Sequence, residues 1–188
     1  MKNKNTRRLL LVAVIAIFLH MIISSSVTLS RDTAVGDHLK MTLPATVSIS
    51  HDQNLSFEYP DIFKVYTEDF SVSEIISHVD LLTGNPAIRG YVQVRHITES
   101  FSLFLEKSKA EFNHPIINFK ESFPSGCINS REWEYDVDCE TAGVIRARQY
   151  FSNQDGKMLI VSLLAPKDVW SARYDRMFVE IKNSTRVY

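Results

Sequence analysis

Between residues 132 and 140 every second side chain is a carboxylate: Glu132, Glu134, Asp136, Asp138 and Glu140. Trp133, Tyr135, Val137 and Cys139 fill the positions between them. A strict period of two makes a β-strand with one acidic face and one apolar face. Such a face could hold a hard cation such as Ca²⁺, which takes several oxygen ligands, and Asp136 and Asp138 are its candidate metal ligands. Same-face residues stand about 6.8 Å apart along a strand, however, so convergence on one ion would need a bulge or a loop. A solvated or ion-paired face is the plainer reading.

The other residues capable of chemistry are scattered. His20, His38, His51, His78, His96 and His114 occur singly, without the helical spacing of a metal-ligand pair. The sequence has no Gly-x-Ser-x-Gly elbow, no Ser-x-x-Lys and no glycine-rich phosphate loop. Cys127 and Cys139 are the only cysteines, and they are the candidate disulfide. A straight strand between them would hold them about 40 Å apart, so bonding requires the chain to fold back. Without a Cys-x-x-Cys they are not a redox pair. No catalytic residue and no cofactor are assigned.

The elements that would position these groups follow from periodicity. Leu55, Phe57 and Tyr59 alternate in a strand ended by Pro60, and further strands are expected over Ala45–Ser50, Ile62–Tyr66, Ile75–Leu81 and Arg89–Ile97. Phe101, Phe104, Leu105 and Phe112 form a helical stripe, with Lys107 and Glu111 as an i,i+4 pair. Trp170, Tyr174, Met177, Phe178 and Ile181 form a second stripe, with Asp168 in its first turn. A three-residue turn at Thr141-Ala142-Gly143 sets Asp138 opposite Arg146 and Asp136 opposite Arg148. A second at Gln154-Asp155-Gly156 sets Phe151 opposite Leu159 and Ala147 opposite Leu163. Three strands then share an apolar face, which the two helices cover from one side. The fold class is α+β, an antiparallel sheet packed against helices.

The chain has 188 residues, 45% hydrophobic and 23% charged, with net charge −1. That suits one domain, and the balanced charge speaks against nucleic-acid binding. Lys2, Lys4, Arg7 and Arg8 precede an apolar run from Leu9 to Ile23, and no acidic residue occurs before Asp32. This is an export segment with its N-terminus held in the cytoplasm. Leu9 to Ile23 alone would make about 22 Å of helix, whereas 9–29 makes about 31 Å, enough for one membrane span. The organisation is therefore 1–8 cytoplasmic, 9–29 signal anchor, 30–44 tether and 45–188 an extracytoplasmic domain. Cleavage near Ser24–Ser26 and secretion is the alternative. Beyond the first 27 residues the chain carries 17 Lys and Arg against 22 Asp and Glu, a net of −5, which gives an anionic surface no attraction for it.

The strand Leu55-Ser56-Phe57-Glu58-Tyr59-Pro60, the Gln149-Tyr150-Phe151 hairpin, and the closing helix from Trp170 to Ile181 with Asn183-Ser184 after it resemble the PsbP-like group, over about residues 45–184. Its namesake is the extrinsic P subunit of the photosystem II oxygen-evolving complex. The resemblance implies an antiparallel sheet sandwiched by helices and a non-enzymatic accessory role with a protein partner. It assigns no metal or partner-binding residue. The functional expectation is a non-catalytic, membrane-anchored extracytoplasmic binding or accessory module. An exported ligand- or cation-binding domain using 132–140, or an exported hydrolase, are the alternatives.

Overall fold

The computed structural model describes residues 46–51, 55–67, 74–84, 88–112, 114–124, 128–139 and 143–188, the first of these segments by its backbone alone. The expected anchor over 9–29 and tether over 30–44 lie outside the described residues. Among the described residues no helix is long and apolar enough to cross a membrane.

Strand β1 (Thr46–His51) pairs antiparallel with β2 (Leu55–Pro60), and β2 also receives the short closing strand β10 (Arg186–Val187). Thr46 stands opposite Pro60, and Val187 opposite Leu55. The larger sheet has seven antiparallel strands in the order β3-β4-β5-β9-β8-β7-β6. They are β3 (Lys64–Thr67), β4 (Ile75–Leu82), β5 (Arg89–His96), β6 (Ile116–Ser122), β7 (Ser130–Cys139), β8 (Gly143–Gln154) and β9 (Lys157–Pro166). Helix α1 spans Phe101–Ala110 and α2 spans Ala172–Ser184.

The helices lie on opposite faces of this sheet, not on one side as the periodicity suggested. α2 contributes Tyr174, Met177, Phe178 and Ile181 to a core that includes Leu55 and Phe57 of β2 and Val92, Leu159, Val161 and Leu163 of the sheet. α1 contributes Phe101, Phe104 and Leu105 to a second core with Trp133, Tyr135, Val137, Cys139, Phe151, Met158 and Ile160. The cause lies in β9, where consecutive residues are apolar, so both of its faces are buried and each needs a cover.

Register explains the change. Gln154 pairs with Lys157 around Asp155-Gly156, whose φ angles are +52° and +79°. Two successive positive φ values make a type I′ turn, which fits Asp-Gly and the sheet's twist. The expected three-residue loop is replaced by a two-residue one, so Phe151 pairs with Ile160 and Ala147 with Leu164. A one-residue slip turns a strand over. In the β7–β8 hairpin the slip is two residues: Asp136 pairs with Arg146, Glu134 with Arg148 and Cys139 with Gly143. A slip of two preserves the faces, so the acidic row keeps its cationic neighbours.

Three smaller expectations also change. α1 is capped by Ser100, whose hydroxyl accepts from the Leu103 N–H. Glu111 is already its C-cap, and Lys107 pairs with Glu99 instead. α2 begins at Ala172, so Asp175, not Asp168, occupies its first turn. Strands β6 and β10 were not anticipated.

Candidate functional site

The acidic row lies on the α2 face of the sheet and is closed by cations from four directions. Asp136 is fully buried. Its carboxylate receives Arg146 Nε at 2.9 Å, Lys167 Nζ at 2.9 Å and Asn118 Nδ2 at 2.8 Å. Burial disfavours the charge, but the hydrogen bonds from Arg146, Lys167 and Asn118 outweigh it, holding the carboxyl far below the usual carboxylate range. Arg146 is correspondingly raised by its bond to Asp136.

Local backbone geometry makes this possible. The β6–β7 pairing is irregular between Ile117 and Lys120, and Asn118 has φ +54°. Asparagine tolerates the left-handed region, and the bulge turns its amide toward Asp136. Lys167 follows directly on β9, where its N–H donates to Val144 O at 2.9 Å.

Glu132 bonds diagonally to Arg148 and to Lys182 Nζ of α2 at 3.1 Å. Arg148 also donates to Asp175 Oδ1 at 3.0 Å, and the Trp170 indole N–H reaches the same oxygen at 3.2 Å. Glu134 meets Lys120 Nζ at 3.3 Å, near the surface. Asp138 is exposed, and Glu140 lies outside the described residues.

This chemistry opposes the cation-site reading of Asp136 and Asp138. Lysine, arginine and amide donors already surround the one buried carboxylate, and Asp138 lies two residues along the strand at the surface. Among the described residues no group of three or more His, Cys, Asp or Glu could hold a metal ion. Cys139 carries a free, buried thiol whose pKa is raised, first by burial and then by the charge of Asp138. Cys127 lies outside the described residues.

The α1 face holds a polar row that sequence reasoning missed. His78, 2% exposed, is hydrogen-bonded through Nε2 to Asp80 Oδ1 at 3.2 Å and through Nδ1 to Gln93 Nε2 at 2.9 Å. The amide of Gln93 donates to Nδ1, which leaves the proton on Nε2 for Asp80. Both ring nitrogens are engaged, so His78 has no lone pair left to act as a base toward a substrate. Further along, Gln149 donates to Tyr91 Oη at 3.3 Å and Ser162 Oγ at 3.4 Å, and accepts from Tyr135 Oη at 3.0 Å. Desolvation pushes the Tyr91 phenol up to about 12, and Tyr135 well above its ordinary value. The available signal was the run of Gln93, Gln149 and Ser162 at strand positions facing inward.

The molecule is thus an α+β sandwich, its seven-stranded antiparallel sheet covered by α1 on one face and by α2 with the small sheet on the other. It has the PsbP-like fold. The solution structure of cyanobacterial PsbP (CyanoP) from Synechocystis sp. PCC 6803 is similar with a TM-score of 0.54 and 15% identity, covering 82% of this chain and 99% of that one. LpqN, involved in cell envelope biogenesis of Mycobacterium tuberculosis, is similar at a TM-score of 0.46 and 13% identity, over 76% of this chain and 90% of that one. No protein-family model matches the chain, and no curated protein matches it in sequence.

Proposed function

We propose that the protein is a non-catalytic accessory module, held at the extracytoplasmic face of a membrane by residues 9–29 and a tether over 30–44, and that it works by contact with a protein partner. The observation that carries this reading is the engagement of the Asp136 and Glu132 carboxylates and of His78 inside a PsbP-like fold. Asp136 is neutralised by Arg146 and Lys167, Glu132 by Arg148 and Lys182, and His78 is held between Asp80 and Gln93. Groups poised for catalysis are usually left with an open, perturbed valence facing a cleft. The basic flank and apolar run of Leu9–Ile23 support export and retention.

The test is made in intact cells with a tag after Tyr188. The tag is expected to be digested by external protease and to stay with membranes in carbonate. Crosslinking should capture a protein of the same membrane or of the space outside it. A tag reached only from the cytosol would overturn the placement.

A further inference from the structure

Under the C-terminal half of α1, three side chains surround an ammonium group. Lys109 Nζ stands 3.9 Å from the centre of the Phe119 ring and 5.2 Å from that of Trp133. Glu121 Oε2 lies 3.5 Å away on a third side. Two aromatic faces and one carboxylate within about 6 Å of a cation define an aromatic cage.

The walls are fixed independently of Lys109. Trp133 is 1% exposed, its ring packs 4.6 Å from that of Phe151, and its indole N–H donates to Glu121 Oε1 at 3.1 Å. Phe119 packs against Trp133 at 5.6 Å and stacks on Tyr135 at 6.2 Å. Arg131 Nε, 3.8 Å from Glu121 Oε1, steadies the carboxylate from the other side. The occupant is looser: the Lys109 side chain is 39% exposed. A flexible, partly exposed side chain can swing its head into water while the walls remain.

We propose that Phe119, Trp133 and Glu121 form a binding site for a quaternary ammonium group, and that Lys109 is its built-in, displaceable occupant. The chemistry selects this class. One carboxylate is too few ligands for a divalent metal ion, which takes six or more oxygens. A small alkali ion would lose more hydration than two ring faces return. A trimethylammonium group is weakly hydrated and presents methyl surface to the rings, so it gains both area burial and cation–π attraction. Lys109 competes as a tethered ligand at high effective concentration, which sets the site to respond only to abundant ligand. A free solute such as choline and the headgroup of phosphatidylcholine share this chemistry. The inference stands apart from the localisation proposed above.

The test uses the full-length chain in a maltoside detergent, which carries no ammonium group, at constant ionic strength. The Trp133 indole N–H resonance is followed by NMR while tetramethylammonium, choline and dibutyroyl phosphatidylcholine are added, with sodium and dibutyroyl phosphatidylglycerol as controls. Lys109→Ala is expected to bind at least about tenfold more tightly than the unaltered chain, in the millimolar range. Adding Phe119→Leu should weaken it at least about fivefold. Tighter binding of choline than of the short lipid would identify a free solute, and tighter binding of the lipid a headgroup. Lys109→Gln, which keeps the stem and removes the charge, stands in if Lys109→Ala fails to fold. An unmoved indole signal in the folded variant up to about 50 mM ligand, far above the millimolar range expected, would overturn the proposal. So would a Phe119→Leu variant that binds unchanged. Lys109 would then be a clamp between α1 and β6 and nothing more.

Discussion

Lys167, the first residue beyond β9, reaches back 2.9 Å to Asp136 in the middle of β7. That ion pair spans the width of β8 and ties the segment leading into α2 to the far side of the sheet. Because Asp136 is fully buried, its partners compensate a desolvation cost rather than merely decorate a surface.

Asp136→Asn is expected to lower the unfolding free energy at pH 7 by about 3 kcal/mol, the scale for removing one partner of a buried pair. The acid dependence follows from the depressed folded-state pKa. The stabilisation is complete above the unfolded value of about 3.9 and is lost as pH falls toward the lower folded value. Urea unfolding between pH 7 and pH 2 should show a steep acid loss in the unaltered protein and a shallower one in the variant.

At the alkaline end the sign reverses. Tyr91 is pushed up to about 12 by desolvation, so above the unfolded value of about 10 the unfolded chain loses a proton that the native chain retains. Stability should therefore decline from about pH 10 upward. Absorbance near 295 nm should show Tyr91 and Tyr135 ionising only with unfolding, whereas an early, reversible titration of all the tyrosines would contradict their burial.

Gly90 of β5 pairs with Leu163 in β9. A Cβ there would meet Ser162 O at 2.6 Å and Leu163 Cδ1 at 3.1 Å. The closer obstacle is backbone and cannot rotate away. Gly90→Ala should cost about 2–3 kcal/mol, the scale of an overpacked core, measured as a fall in the denaturant midpoint. Gly84→Ala, where the added atom meets nothing within 4 Å, is the control.

Cys139 should remain a thiol. Ser130 and Cys139 end a ten-residue strand, about 30 Å long, and the three residues back to Cys127 reach about 11 Å at most. A bond between the cysteines would require β7 to break. Mass spectrometry after native alkylation without reductant is expected to show no Cys127–Cys139 crosslink, with Cys139 labelled slowly until denaturant is added. A crosslinked peptide would refute the strand.

Calcium and manganese should leave the melting temperature unchanged, and so should chelator. Both Asp136 oxygens already accept hydrogen bonds, and Asp138 is exposed. A saturable shift that Asp136→Asn abolished would restore the cation-binding reading of the acidic strand.

Alternation in 132–140 revealed β7 and its two faces, because carboxylates at every second position leave the residues between them as a single apolar face. The partners were half legible. Arg146 and Arg148 lie within the adjacent strand, so any even register brings them beside acids. Lys167, Lys182 and Asp175 arrive from elements whose placement depends on which side of the sheet α2 occupies. That side turns on one residue of loop length at Asp155-Gly156, where an Asp-Gly pair suits the tighter turn. β6 escaped notice because Asn118 interrupts its alternation, and the same residue completes the Asp136 site. The aromatic cage was invisible for a related reason: Phe119 lies just past that bulge and Lys109 on the polar side of the α1 pattern.

The small sheet gives the domain a mechanical direction. Its middle strand, β2, joins β1, whose entering end is at Pro60, to β10, whose leaving end is at Leu55. Tension applied between Thr46 and Tyr188 therefore runs lengthwise through these ladders, loading their hydrogen bonds together in shear instead of peeling them one by one. The two-residue β10 is the shorter ladder, which makes the carboxyl end the place where such a load would first let go.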